Sequence, residues 1–320
     1  MITKKLTVAL MTTMTVLFAG EGTFSGKAFY EYSIDPSTDA AISNAFGLTR
    51  VYFTYQQELS EGITYKFQTD IDYNHSPKNV YLKNAKIDWT TRIGKLTLGL
   101  QGMNIFSVQE HNWGYRYIEK SPMDQHKFAS SADMGIGWAQ KWGPLSLSTI
   151  YSNGAGYKKQ ENDSYKKISV LGFVGESKLT KKDGFNAGGV LALEPYDYVD
   201  TNSDTTQETK TLFAGFAALA MNGFRVGGEF EQLNLGGADQ TKQILSVYGN
   251  YSVSEALQVL ARYDIYDPDT QTDQDGNSYL IAGVTYAPGK GVLITPNIRL
   301  TMPQTGDSTT QYTLNFQFKF

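Results

Sequence analysis

The chain of 320 residues contains no cysteine, which removes disulfide frameworks, thiolate chemistry and cysteine-ligated metals together. It has only three histidines, His75, His111 and His126, a poor supply for acid–base or metal chemistry. Basic residues are outnumbered, 28 against 32, so the formal charge is −4 and no basic stripe marks a nucleic-acid partner. No window reaches the ~18 consecutive apolar residues of a spanning helix. Mean hydropathy is −0.34, which alone would suggest a soluble protein. That average is blind to strands whose two faces differ, because the faces cancel in any window.

What the chain has is 21 Tyr, 17 Phe and 31 Gly, a balance that favours strands over helices. Its last ten residues, QYTLNFQFKF, place Tyr312, Leu314, Phe316, Phe318 and Phe320 on one parity. Gln311, Thr313, Asn315, Gln317 and Lys319 take the other, giving one greasy and one wet face. Similar alternation runs through GITYKFQTDIDY, GFRVGGEFEQ and ALQVLARYDIY. KISVLGFVGES and YLIAGVTYA are apolar on both parities, and periodicity does not orient them.

The N-terminus opens with Lys4 and Lys5, then a moderately apolar run from Leu6 to Ala19. This predicts a secretory signal peptide over residues 1–22, cleaved between 19 and 25, too short to span. Removing residues 1–20 takes two lysines and no acid, moving the charge from −4 to −6.

About sixteen strands follow, starting near residues 26, 47, 62, 79, 94, 131, 144, 165, 184, 211, 223, 241, 256, 278, 291 and 310. Short links at 60–62, 90–94, 143–144, 222–223, 253–256 and 287–291 largely alternate with longer polar ones. The longer links are 34–46, 103–130, 153–164, 195–210, 235–240, 267–277 and 302–309. Asn222-Gly223 suits a type I′ hairpin, in which both central residues take positive φ. An export signal, one-faced aromatics and alternating link length together predict an all-β transmembrane antiparallel barrel over 23–320 in the outer membrane. A β-sandwich explains the strands but not that combination. The C-terminal strand ending in Phe also resembles the signal read by the barrel-insertion machinery. Outer-membrane lipid and lipopolysaccharide are the surroundings such a barrel implies.

Residues 82–138 carry a further likeness. Lys83-Asn84-Ala85, the stretch Gly94 to Gln101, Glu119-Lys120-Ser121 and Asp133 to Gly135 follow an order that resembles the phosphate-selective porin O/P family. The resemblance implies a sixteen-stranded diffusion channel, possible as a homotrimer. Phosphate selectivity depends on a ladder of inward basic residues and does not carry over. The expected lumen face mixes signs: Arg50, Lys66, Lys86, Arg225, Arg262 and Arg299 beside Asp70, Asp72, Asp88, Glu229, Glu231 and Asp264. Interleaving of this kind predicts a weakly selective aqueous pore with a transverse field.

The longest connection, 102–131, is expected to fold inward and narrow that pore, by likeness to general porins. Glu110, His111, Arg116, Glu119, Lys120, Asp124 and Lys127 would line the constriction, with Trp113, Tyr115 and Tyr117 pinning the loop. Asp72 and His75 could pair at a rim, but nothing nearby completes a catalytic set, so no enzyme activity is expected. Aligning Gly276 with the EF-hand glycine puts Gln271 and Ala282 where carboxylates are required, so 267–279 is not an EF-hand. Loose divalent bridging to lipopolysaccharide there, and no cofactor or metal site, complete the expectations. The sequence thus predicts passive diffusion of small hydrophilic solutes or ions. The alternatives are a barrel transporter for hydrophobic compounds, which needs an apolar lumen or plug, and a non-conducting structural or adhesin barrel.

Overall fold

Alternating residues impose alternating faces, and sixteen such strands close on themselves. In the computed structural model, which describes residues 22–36, 44–72 and 76–320, they are β1 (Thr23–Ile34), β2 (Asn44–Ser60), β3 (Ile63–Asp72) and β4 (Asn79–Thr91). Next come β5 (Gly94–Gly102), β6 (Ala132–Trp142), β7 (Leu145–Ser152), β8 (Lys167–Gly175), β9 (Gly184–Val199) and β10 (Thr205–Met221). β11 (Phe224–Leu235), β12 (Gln240–Ser252), β13 (Leu257–Asp267), β14 (Asn277–Gly289), β15 (Val292–Pro303) and β16 (Thr309–Lys319) complete the wall. The expected leader, apart from Gly22, and His75 lie outside the described residues.

Every strand pairs antiparallel with its chain neighbours, and β1 pairs β16 from Lys27↔Lys319 to Ile34↔Tyr312. Gly26 and Phe320 extend that seam by exchanging backbone hydrogen bonds at 3.0 and 3.2 Å. Closure leaves no open edge, so the backbone is satisfied without water and the outer face can meet lipid. Asn222 and Gly223 take φ of 52° and 84°, the positive pair a two-residue hairpin requires.

Burial is inverted relative to a soluble protein. On β16, Tyr312 is 52% exposed and Phe318 42%, while the polar Thr313 and Asn315 are buried at 5% and 1%. Exposed Phe24, Trp89, Trp142, Phe185, Phe224, Tyr286 and Phe320 all stand near the short-turn ends of their strands. They form an aromatic girdle of the kind found at a membrane interface.

Two expectations change. Residues 195–210 are not a loop: β9 and β10 stay paired to Val199↔Thr205, with only 200–204 between them. Lys210 and Lys167 both bridge Glu194, at 2.7 and 2.9 Å, so cross-strand ion pairs hold a stretch whose polarity reads as loop. Nor is the inner wall uniformly polar. Leu171 and Phe173 on β8, Val190 and Ala192 on β9, Leu212, Ala214 and Phe216 on β10 and Ile244 on β12 all turn inward and are buried. Strands that are apolar on both parities therefore meet lipid outside and something apolar inside.

Candidate channel constriction

That inner partner is the connection 103–131. Met103, Ile105, Phe106, Val108, Met123 and Phe128 pack on the apolar wall as one cluster. Burying six such side chains contributes roughly 10 kcal/mol before the ordering entropy of the loop is counted. Within the loop, α1 (Ser107–Trp113) ends at Gly114, whose φ of 78° lets its N–H reach Glu110 O. A Cβ there would strike the Arg225 guanidinium and Thr180, so position 114 needs glycine on both counts. α2 (Pro122–Gln125) supplies a second turn.

Outside the helices a few carbonyls are met within the loop, as Tyr115 O is by the Ile118 and Glu119 N–H groups, and the others must find donors elsewhere. The wall provides them. Arg225 donates to Trp113 O at 3.1 Å, Arg262 to Lys120 O at 2.6 Å, Arg299 to Ile118 O at 2.8 Å and Asn315 to Tyr117 O at 3.2 Å. The aromatic pins engage in the same region. Tyr115 OH donates to Gln258 Oε1 at 3.0 Å, and Tyr117 OH is hydrogen-bonded with Thr295 Oγ1 at 2.5 Å. Trp113 Nε1 donates to Glu119 O within the loop at 3.0 Å, and Asn112 and Asn186 exchange two bonds of 2.8 Å.

These contacts redistribute the expected lumen residues. Arg225, Arg262 and Arg299 point inward but clamp the loop instead of standing free in water. Arg262 is 1% exposed and gives its remaining donors to Asp264 and Gln125. Asp264, Glu229 and Glu231 are buried beneath the loop, and the two glutamates are paired only with each other among the described residues. On the facing wall Arg50 pairs with Asp70 at 2.6 Å, Lys86 with Asp88 at 2.9 Å and Lys158 with Asp72 at 3.7 Å. Lys66 is half-buried in the same sector.

Between loop and wall lies a cavity of about 200 Å³ lined by charged and apolar side chains together. Arg116, Tyr117, Ile118, Glu119 and Lys120 form its loop side; Phe29, Glu31, Thr49, Arg50 and Arg299 form its wall side. Arg299 bridges Glu31 at 2.8 Å and Glu119 at 3.7 Å. Arg116 pairs with Glu110 at 2.7 Å and Asp124 at 2.9 Å. Burial works against the Arg116 charge, but Glu110, then Tyr52 and Asp124, hold it protonated above the ordinary range. Lys120 is pushed down by burial, with Asp124 opposing, and it makes no ion pair among the described residues. Two expected constriction residues lie elsewhere: Lys127 is exposed, and exposed His111 lines a recess across the loop. Sequence reasoning missed Glu31, Gln258, Thr295 and Asn315, polar strand residues with no motif of their own.

Of the motif residues singled out from 82–138, Lys83, Gln101 and Asp133 sit at the roots of this loop, while Glu119 and Lys120 line the cavity. Lys83 donates to Ser131 Oγ, Gln101 Nε2 to Gly135 O at 3.0 Å, and the Gly154 N–H to Asp133 Oδ2 at 2.6 Å. The Gram-negative porin family profile matches residues 9–299. The chain belongs to the Gram-negative porin family. This porin is a passive channel of the outer membrane. No curated protein matches its sequence. Its fold is similar to the trimer form of OmpT of Vibrio cholerae, at TM-score 0.67 and 14% identity over 94% of this chain and 100% of that one. A Salmonella typhi OmpF complex with daunomycin gives TM-score 0.67 and 12% identity, covering 93% and 97%. The anion-selective porin from Comamonas acidovorans gives TM-score 0.67 and 13% identity, covering 94% and 99%.

Proposed function

We propose that this porin passes small hydrophilic solutes and ions with weak charge selectivity, through the passage between residues 116–120 and the wall of β1, β2 and β15. The observation that carries this reading is the pairing of the passage's arginines: Arg50, Arg116 and Arg299 each face a carboxylate within hydrogen-bonding distance. Neutralised arginines cannot form the ladder a phosphate filter requires, so likeness to the phosphate-selective group extends to the loop roots and not to its selectivity. Size and local field select the solute, and no covalent step is assigned to any residue. The apolar inner wall does not favour a hydrophobic-compound transporter, because the loop covers it.

Assembly as a homotrimer accords with the trimeric form of the Vibrio cholerae relative. Outward Phe316 and Phe318 on β16 accord with recognition by the insertion machinery in a lipid and lipopolysaccharide membrane. The test of weak selectivity is the reversal potential under a tenfold KCl gradient. A value of a few millivolts supports the proposal; a value near the Nernst limit of either ion sinks it.

A further inference from the structure

On the other side of the loop, at the short-turn rim, lies a recess of about 560 Å³, within the usual range of small-molecule sites. Strand register builds its wall in two rows. Lys95, Ala139, Ser148 and Leu171 are cross-strand partners on β5 to β8; Lys141, Ser146 and Phe173 form the adjacent row on β6 to β8. Each row begins on a lysine, passes small or hydroxyl side chains, and ends on a buried apolar one. Val108 of α1 closes the apolar end.

The β7–β8 wall of the recess is closed toward the loop. One step farther from the rim, Ile150 is buried in the cluster beneath the loop, and Ser169 Oγ donates to Asn104 Oδ1 at 2.6 Å.

Its charged lining is basic. Lys178, from the 176–183 connection, joins Lys95 and Lys141, and no acidic residue among the described residues lines the space. Among the described residues Lys95 has only a distant carboxylate, Asp88 at 3.8 Å, which Lys86 and Thr97 already engage at 3.0 and 2.6 Å. Lys141 and Lys178 make no ion pair among the described residues; neighbouring Glu176, outside the lining, pairs with Lys182 at 3.5 Å, accepts from the Lys178 N–H at 3.3 Å and lies in the field of Lys141.

We propose that this recess binds an amphipathic organic anion, a carboxylate on an aryl-sized body, from the periplasmic side. The carboxylate meets Lys141, Lys178 and Lys95; the body lies on Leu171, Phe173 and Val108. Lys141 and Phe173 stand two strand spacings apart, about 10 Å, which a lysine side chain and a phenyl-sized group fill between them. The inference does not depend on how the passage selects solutes.

Fluorine NMR of 4-fluorobenzoate titrated with the folded porin in detergent tests it, with empty micelles as baseline. Saturable line broadening is expected, weakened about tenfold in apparent affinity by Lys141→Gln with Lys178→Gln. Both lysines are exposed, so folding is preserved. Ser146→Trp, which fills the recess, should abolish saturable broadening. Uncharged 4-fluorobenzyl alcohol and trifluoroacetate, which lacks the apolar body, should both bind weakly. Equal broadening in wild type and both variants overturns the site; trifluoroacetate matching 4-fluorobenzoate overturns the apolar half of the recognition.

Discussion

Arg262 Nη1 lies 2.6 Å from the backbone oxygen of Lys120, joining β13 to the loop segment that borders the passage. The same guanidinium holds Asp264 at 2.7 Å. Arg262→Met should therefore cost about 3–5 kcal/mol, because it strands a buried carboxylate. It should also free the loop, raising open-channel noise and conductance in planar bilayers. Adding Asp264→Leu removes the stranded charge, so denaturant resistance should recover while the noise persists.

Field and burial separate two sets of charges. Glu229→Gln with Glu231→Gln should leave the reversal potential unchanged, because both side chains are buried under the loop and away from the passage. Lys120→Glu, in the passage lining, should shift it toward cation preference. Reversal-potential measurements on the two variants decide between these positions.

His126 stacks on Tyr266 with ring centroids 3.7 Å apart, and burial, reinforced by Arg262, lowers its pKa to about 4. An unfolded or undocked His126 titrates near 6.5 and binds protons more readily than the docked one. Its contribution to docking is thus complete above about pH 6.5 and is lost as pH falls toward about 4. Open-channel noise should rise across that window in wild type and be flatter in His126→Gln.

The barrel was legible in the sequence because lipid outside and water inside write a period of two. Asn222-Gly223 shows this at the smallest scale, a dipeptide whose backbone preference fixes a hairpin. β9 and β10 were harder, since beyond the membrane both faces are wet and Glu194 and Lys210 look like loop residues. The constriction was half legible. Trp113, Tyr115 and Tyr117 announced a docked loop, but where it docks was written in part on Leu171 and Phe173, inward apolar residues in a strand that periodicity could not orient. Arg225, Arg262 and Arg299 read as free pore charges because nothing in a strand pattern reveals that a distant loop's carbonyls need donors.

The outer wall gives a fourth expectation. Val247 stands midway along β12, 51% exposed on the lipid face. Val247→Arg, which puts a charge on the lipid face near the middle of the strand, should destabilise the barrel by about 2–4 kcal/mol. Reversible unfolding in lipid vesicles measures it, with Val247→Ala as a control that puts no charge in lipid.

Single-channel recording of the wild-type porin, purified and refolded, tests most directly whether water threads the lumen beside the docked loop. Stepwise, ohmic openings with modest ion preference are expected. A correctly folded barrel that inserts into the bilayer yet produces no current steps would contradict the account.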